Sequence, residues 1–391
     1  MLELSPDQTN VLSQLEKWYY DINKDRYITL GGFAGTGKTT LISVFRKNLE
    51  LKNPKLKVIF CSYTGKAARV LKTKILESKA SYSQDTIGTI HSIIYSPNVD
   101  DKGEIVGWDK KQSIDGDLII VDEASMVDSE IWNDLLRYGL PIIAVGDHGQ
   151  LPPIKGKFNL MENPQLRLEK IHRQAEENPI IHLSIMAREE GVVPAGKYGE
   201  RIMKLYKGST DSQEIIGELL QNFKKETLVL CGYNTTRVKT NKFIRQALEF
   251  EGLEPKVRDR VICLRNNHEK GIFNGMLGTI LSISQGFKEQ DRDLYDVTIQ
   301  MDDETEIYKG TIAGQQFNNV ESLNYSDNRS RFDGIDLFDF GYAITVHKAQ
   351  GSQSKRVILF EERFKQMDDE TWRKWLYTAV TRAEKELYIV G

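Results

Sequence analysis

The sequence predicts an α/β chain of two parallel-sheet domains, each carrying a small β insertion. Three observations lead there. Short apolar runs alternate with helical patterns through the first half, the same order returns in the last third, and the stretch between them shows strand-length runs with little helical pattern. The length of 391 residues, 40% hydrophobic and 28% charged, is enough for two or three cores.

Taken in order, "YITLGGF" (27–33), "KVIFCSY" (57–63), "DLIIVDE" (117–123) and "PIIAVGD" (141–147) read as buried strands. Helical patterns fall between them over Lys38–Leu49, Gly65–Leu76 and Ser129–Leu136. The second round comprises "ETLVLCGY" (226–233), a helix over Thr236–Phe250, "RVILFE" (356–361), a helix over Asp369–Arg382 and "ELYIVG" (386–391). "DRVICLRNN", "GTILSISQG" and "LYDVTIQMDD" predict a small β-barrel or sheet over 255–335, with the acidic stretch Glu289–Glu306 as the solvated side of a hairpin. A hairpin with an Asp-Lys-Gly turn is expected over 95–115. The domains are therefore placed at 1–190, with the insertion 95–115, and at 191–254 plus 336–391, with the inserted domain 255–335.

Composition narrows the function. No run of eighteen apolar residues predicts a membrane span, and the polar segment after Met1 does not read as a signal peptide. Cys61, Cys231 and Cys263 lie in apolar runs at spacings wrong for zinc, which points to reduced thiols and a cytoplasmic protein. The six histidines form no metal cluster in sequence. With a net charge of −3, a nucleic-acid partner has to be held by local groups.

"GFAGTGKT" fits G-x-x-x-x-G-K-[ST] between a strand and a helix. Gly32, Phe33, Ala34, Gly35, Thr36, Gly37, Lys38, Thr39 and Thr40 are the expected nucleotide contacts: backbone N–H groups wrap the phosphates, Lys38 neutralises the β and γ oxygens, and Thr39 holds Mg²⁺. "LIIVDEAS" supplies Asp122 for the magnesium shell and Glu123 to position or deprotonate the attacking water. The implied cofactors are ATP and Mg²⁺. Gln8, in the Ser-x-x-Gln capping box "SPDQ", reads either as its own helix cap or as an amide facing the adenine edge.

The ordered set "LSPDQ", "GFAGTGKTT", "SYTGKAARVL", "TIGTIHS", "IIVDEASM", "AVGDHGQLPPI", "LEKIHRQAEENPI", "FNGMLGTI", "YAITVHKAQGS" and "LYTAVTRAEKELYIVG" resembles superfamily 1 helicases, in the RecD-like and phage Dda branch, across nearly the whole chain. The resemblance implies two RecA-like P-loop domains, ATP hydrolysis in the cleft between them, and movement along single-stranded DNA, 5′ to 3′ on that ground alone. It tips Gln8 toward adenine. It assigns Gln150 to sensing the γ-phosphate, and Arg173 and Arg382 to stabilising the transferred phosphoryl group. Gln350 and Gly351 follow a strand end, where an open α/β sheet places its ligands, and are expected to face the nucleotide cleft.

For the DNA track, the resemblance puts Thr64, Lys66 and Asn274 on the strand. "TIH" and "TVH" are read as extended backbone, so that Thr89 with His91, and Thr345 with His347, each face one side toward phosphates. Lys348 fits either the DNA or the nucleotide side. The 95–115 insertion occupies the place of a strand-separating hairpin in relatives, with Tyr95 and Trp108 as candidate base-stacking residues; an ordinary packed hairpin is the other reading. Expected partners are single-stranded DNA, forked or tailed duplex, and an ssDNA-binding protein or replisome component; the expected state is a monomer in a bacterial or phage-infected cell. Two rivals stand beside the helicase: a translocase that strips proteins from DNA, and a nucleotide-regulated DNA-binding module that does not cycle.

Overall fold

The computed structural model describes residues 4–99, 105–152, 158–171, 177–267, 270–285, 293–302, 307–323, 332 and 334–391. The first domain contains β1 (Tyr27–Gly32), β2 (Val58–Ser62), β3 (Thr86–Thr89), a two-stranded hairpin of β4 (Tyr95–Val99) and β5 (Ile105–Lys110), then β6 (Leu118–Asp122), β7 (Ile142–Gly146) and β8 (Leu166–Leu168). Its main sheet has the order β3-β2-β6-β7-β1-β8 with every pair parallel. The β2, β6 and β7 runs are apolar because helices cover both faces, which buries consecutive residues rather than alternate ones. Helices Pro6–Tyr20, Lys38–Lys52, Gly65–Glu77 and Ser129–Leu136 supply that cover.

The second α/β domain has β9 (Gly196–Gly199), β10 (Ile202–Leu205), β11 (Thr227–Cys231), β17 (Ala343–Thr345), β18 (Ser354–Phe360) and β19 (Ala383–Val390), in the order β17-β11-β18-β19-β10-β9. All pairs are parallel except β9 with β10. Between β11 and β17 the chain inserts an antiparallel sheet of β12 (Arg260–Cys263), β13 (Leu277–Gln285), β14 (Leu294–Met301), β15 (Ile307–Ala313) and β16 (Phe338–Phe340), in the order β15-β14-β13-β12-β16. A bridge between Ile312 and Asp336 brings its two ends together into a small barrel.

Two domain limits differ from those read in the sequence. Helix Pro179–Glu189 lies within the 1–190 limit of the first domain, but its Ile180, Leu183 and Ala187 share a core with Leu230, Leu359 and Trp375 of the second. The barrel also extends past 335, because Phe338–Phe340 pairs antiparallel with β12 before the chain re-enters the α/β sheet at β17. Long-range packing decides both, and neither boundary carries a local signal. The Asp-Lys-Gly turn lies outside the described residues, as do most positions flanking β14 in the acidic stretch. Among the described residues, no helix is long and apolar enough to cross a membrane.

Candidate nucleotide cleft and nucleic-acid track

β1 ends at Gly32 and helix Lys38–Lys52 starts just beyond it, so the glycine-rich loop sits at the C-terminal edge of the sheet. Gly35 and Gly37 take φ of +81° and +79°, left-handed values that let the loop fold back over the helix N-terminus. The Lys38 amine donates to the carbonyls of Gly32 (2.6 Å) and Phe33 (3.0 Å), lying over the loop where phosphates would meet it. Gln8 forms the helix cap that one of its readings expects. It closes the capping box with Ser5, and its side-chain N–H reaches the Thr36 carbonyl at 3.2 Å, inside the same loop.

β6 delivers Asp122, and Glu123 follows with φ +55°, a costly conformation for a non-glycine residue. Burial holds both carboxyls above the usual carboxylate range; Lys38 draws Asp122 back, while Asp122 pushes Glu123 further up against the pull of Arg382 and Lys38. Glu123 Oε2 and Gln150 Oε1 are buried with no hydrogen-bond partner among the described residues. Two orphaned acceptors beside a phosphate-shaped loop fit a magnesium nucleotide and its attacking water.

Several groups that sequence reasoning did not single out close this cleft from the second domain. The Tyr377 hydroxyl accepts from the Ala34 N–H (2.8 Å) and donates to Asp147 Oδ2 (2.6 Å). Asp147 in turn accepts from the Gly149 N–H and from the Gln150 amide. Thr378 accepts from the Leu151 N–H at 2.9 Å, and the Gln350 amide donates to the Leu151 carbonyl at 2.6 Å. Gln350, expected at the nucleotide, therefore holds the loop that carries Gln150. A Cβ on Gly149 would lie 2.9 Å from Phe33 and 3.1 Å from Tyr377, so only glycine admits both rings. The Arg188 guanidinium sits 3.6 Å from the centre of the Phe33 ring, and His148 packs on the same ring at 4.2 Å. Gly351, at φ +70°, lies against Met126 and Thr64 of the first domain.

Arg382 is 2% exposed, and its guanidinium donates to the carbonyls of Thr378 (2.9 Å) and Ser352 (3.2 Å). Its charge acts on Glu123 and Asp147 across the cleft. Arg173 and the 153–157 segment after Pro152 lie outside the described residues.

The Tyr377 bridge gives one expected result. Tyr377→Phe leaves the Ala34 N–H and Asp147 without their shared partner, a loss of about 1–3 kcal/mol for a buried group. Nucleotide-dependent turnover should fall about tenfold or more with the fold retained. Steady-state kinetics beside thermal unfolding checks this, and unchanged turnover would remove Tyr377 from the coupling.

The track residues need a correction in geometry. Thr89 ends β3 and caps the short helix Ile90–Ile94, accepting from the Ser92 N–H at 3.1 Å, so His91 is helical and the two residues do not share an extended face. Thr345 likewise ends β17 ahead of the 3₁₀ turn Val346–Ala349 that contains His347. The two segments keep their likeness in another form, as strand, threonine at the N-cap, then a helical turn with histidine. Burial pushes the His347 imidazole pKa down. Thr64 caps Gly65–Glu77 through a bond from the Ala67 N–H, and the Lys66 amine donates across the domains to the Gln353 carbonyl. The Asn274 N–H donates to Asn266, and the neighbouring Phe273 ring reaches His91 at 4.7 Å, which joins the barrel to the first domain. Lys348 is partly buried; burial and the Arg237 charge push its pKa down to about 8, against the opposing pull of Asp339.

Tyr95 does not present a face to a base. It is 8% exposed, its hydroxyl donates to Asp134 at 2.7 Å, and its ring packs on His91 at 4.3 Å. It anchors the root of the hairpin, where an apolar body and a polar tip both find partners. Trp108 holds a place in β5 opposite Pro97, further along the hairpin.

The AAA domain family matches residues 3–201, just over half of the chain, and the UvrD-like helicase C-terminal domain matches residues 340–390. The first of these matches shows that the chain belongs to the AAA domain family. The ATP-dependent RecD2 DNA helicase of Deinococcus radiodurans is 27% identical over 413 residues, which cover 99% of this chain and 49% of that protein. The RecBCD enzyme subunit RecD of Buchnera aphidicola (subsp. Schizaphis graminum) is 24% identical over 483 residues, covering 97% of this chain and 74% of the relative. The chain thus spans about half the length of its RecD2 relative. A Pif1 helicase from Bacteroides, solved with ADP-AlF3 and ssDNA, aligns over 100% of this chain and 92% of that one with a TM-score of 0.48 and 18% identity.

Proposed function

We propose that this chain is an ATP-dependent DNA helicase that hydrolyses ATP between its two α/β domains and moves along single-stranded DNA. The observation that carries this reading is the Ala34–Tyr377–Asp147–Gln150 connection, because it ties the phosphate loop, the γ-phosphate side of the cleft and the second domain into one contact set. A fuel site completed by two domains changes shape as fuel is bound and spent, which is what a motor requires.

Lys38 and the loop N–H groups would cradle the phosphates, with Thr39 and Asp122 holding the ion. When bound there, magnesium would supply positive charge against the charge that develops on the transferring phosphoryl group. Glu123 Oε2 would accept the proton of the attacking water, Gln150 would orient that water, and Arg382 would enter as the cleft shuts. For the strand, Thr64, Thr89 and Thr345, each at the N-cap that follows a sheet strand, would meet phosphates without reading bases. Movement from 5′ to 3′ and a strand-separating role for the β4–β5 hairpin belong to the same proposal, as does activity as a monomer.

A fluorescently tailed duplex with Mg-ATP tests the reading. Strand separation that needs a single-stranded tail is the expected outcome. Displacement of a bound protein from single strands without separation would favour the translocase instead.

A further inference from the structure

The outer strand pairs of the two α/β sheets are built alike. Edge strand β3 pairs parallel with β2, and edge strand β17 pairs parallel with β11. Each of these four strands ends at the N-cap of a following helix or helical turn: Thr64 after β2, Thr89 after β3, Tyr233 after β11 and Thr345 after β17. Three of the four N-caps are contacts of the proposed DNA track. The fourth position, equivalent to Thr64 in the other domain, holds an aromatic residue.

We propose that Tyr233, braced by Phe364, is a base-stacking step for the single strand on the second domain. The inference rests on the track proposed above. Tyr233 is 39% exposed, a high value for a ring at the end of a buried strand. Its hydroxyl donates to the Arg363 carbonyl at 3.1 Å, and Phe364 meets its ring edge-on at 4.6 Å and 90°, so the ring is fixed before any ligand arrives. The backbone here is not available to a phosphate. The N–H groups of Gly232 and Tyr233 both donate to Glu362 Oε2 at 2.9 Å, and the Thr236 hydroxyl donates to Oε1 at 2.5 Å. A carboxylate thus fills the helix N-terminus where an anion would otherwise bind and repels a phosphate from it. What this edge offers a nucleic acid is a π face, which accepts any base. Arg363, paired with Asp369, and exposed Lys365 lie on the same loop.

The test is the affinity of the full chain for a dT oligonucleotide by fluorescence anisotropy, for wild type, Tyr233→Phe, Tyr233→Leu and Phe364→Leu. Tyr233→Phe should bind within about twofold of wild type, whereas Tyr233→Leu should weaken binding ~5- to 100-fold, the range for loss of one stacked base. Phe364→Leu, which removes only the brace, should weaken it less. The salt slope should not change, since no phosphate contact is removed. On an abasic strand, wild type and Tyr233→Leu should bind alike, a convergence that mere structural damage would not produce. If wild type fails to bind single strands at all, the track itself is wrong. If wild type binds and Tyr233→Leu binds equally well, or loses affinity equally on the abasic strand, the stacking step alone is overturned.

Discussion

Arg382→Ala is expected to lower DNA-stimulated ATP turnover by about 10³-fold or more, the range seen when an arginine that meets a transferring phosphoryl group is removed. The guanidinium is carried by the second domain, where carbonyls of Thr378 and Ser352 and the Thr381 hydroxyl fix its plane. Its charge acts on Glu123 and Asp147 of the first domain, so it would join the proposed fuel site only while the domains meet. The alanine variant also strands two carbonyls, at about 1–3 kcal/mol for each buried group left unpaired, and should unfold at lower temperature. Arg382→Lys separates the two effects. It keeps a cation but not the planar fork, so it should recover part of the stability and little of the turnover. Single-turnover hydrolysis with thermal unfolding on both variants decides the matter, and near wild-type turnover in Arg382→Lys would contradict the assigned role.

Glu123→Gln is expected to cut hydrolysis by about 10²–10⁴-fold while leaving nucleotide affinity within a few-fold. The side chain keeps its shape, so the left-handed backbone at this position and the packing around it need not change. What is lost is an acceptor able to take a proton, since Oε2 is buried with no hydrogen-bond partner among the described residues. Stability should hold or rise, because burial and Asp122 both oppose the charged form that the glutamine replaces. The variant should therefore trap bound nucleotide on a folded protein. Turnover within tenfold of wild type would place the general base elsewhere.

The strand frame was legible because parallel strands under helices are apolar along their whole length, as in "VIFCS" and "LIIVD". The phosphate loop was legible because its glycines answer a local backbone demand. The histidine segments were misread for an equally physical reason. Isoleucine and valine beside threonine look extended, and a helix as short as Ile90–Ile94 shows no period to betray it. The short β9 and β10 escaped notice in the same way. Tyr377 was invisible because its partners lie 343 and 230 positions away, so only the folded chain brings them together. Tyr95 was recognised as aromatic, but whether its ring is open or covered depends on Asp134 and His91, which local sequence does not place.

ATP turnover in the cleft is expected to depend on a single strand held by both domains. Steady-state ATPase of the full chain, with and without a dT oligonucleotide, tests this most directly, with Lys38→Ala as the variant that lacks the phosphate-binding amine. Low turnover alone, a rise of about tenfold or more at saturating strand, and no rise in Lys38→Ala are expected. Turnover indifferent to the strand in wild type would contradict that dependence.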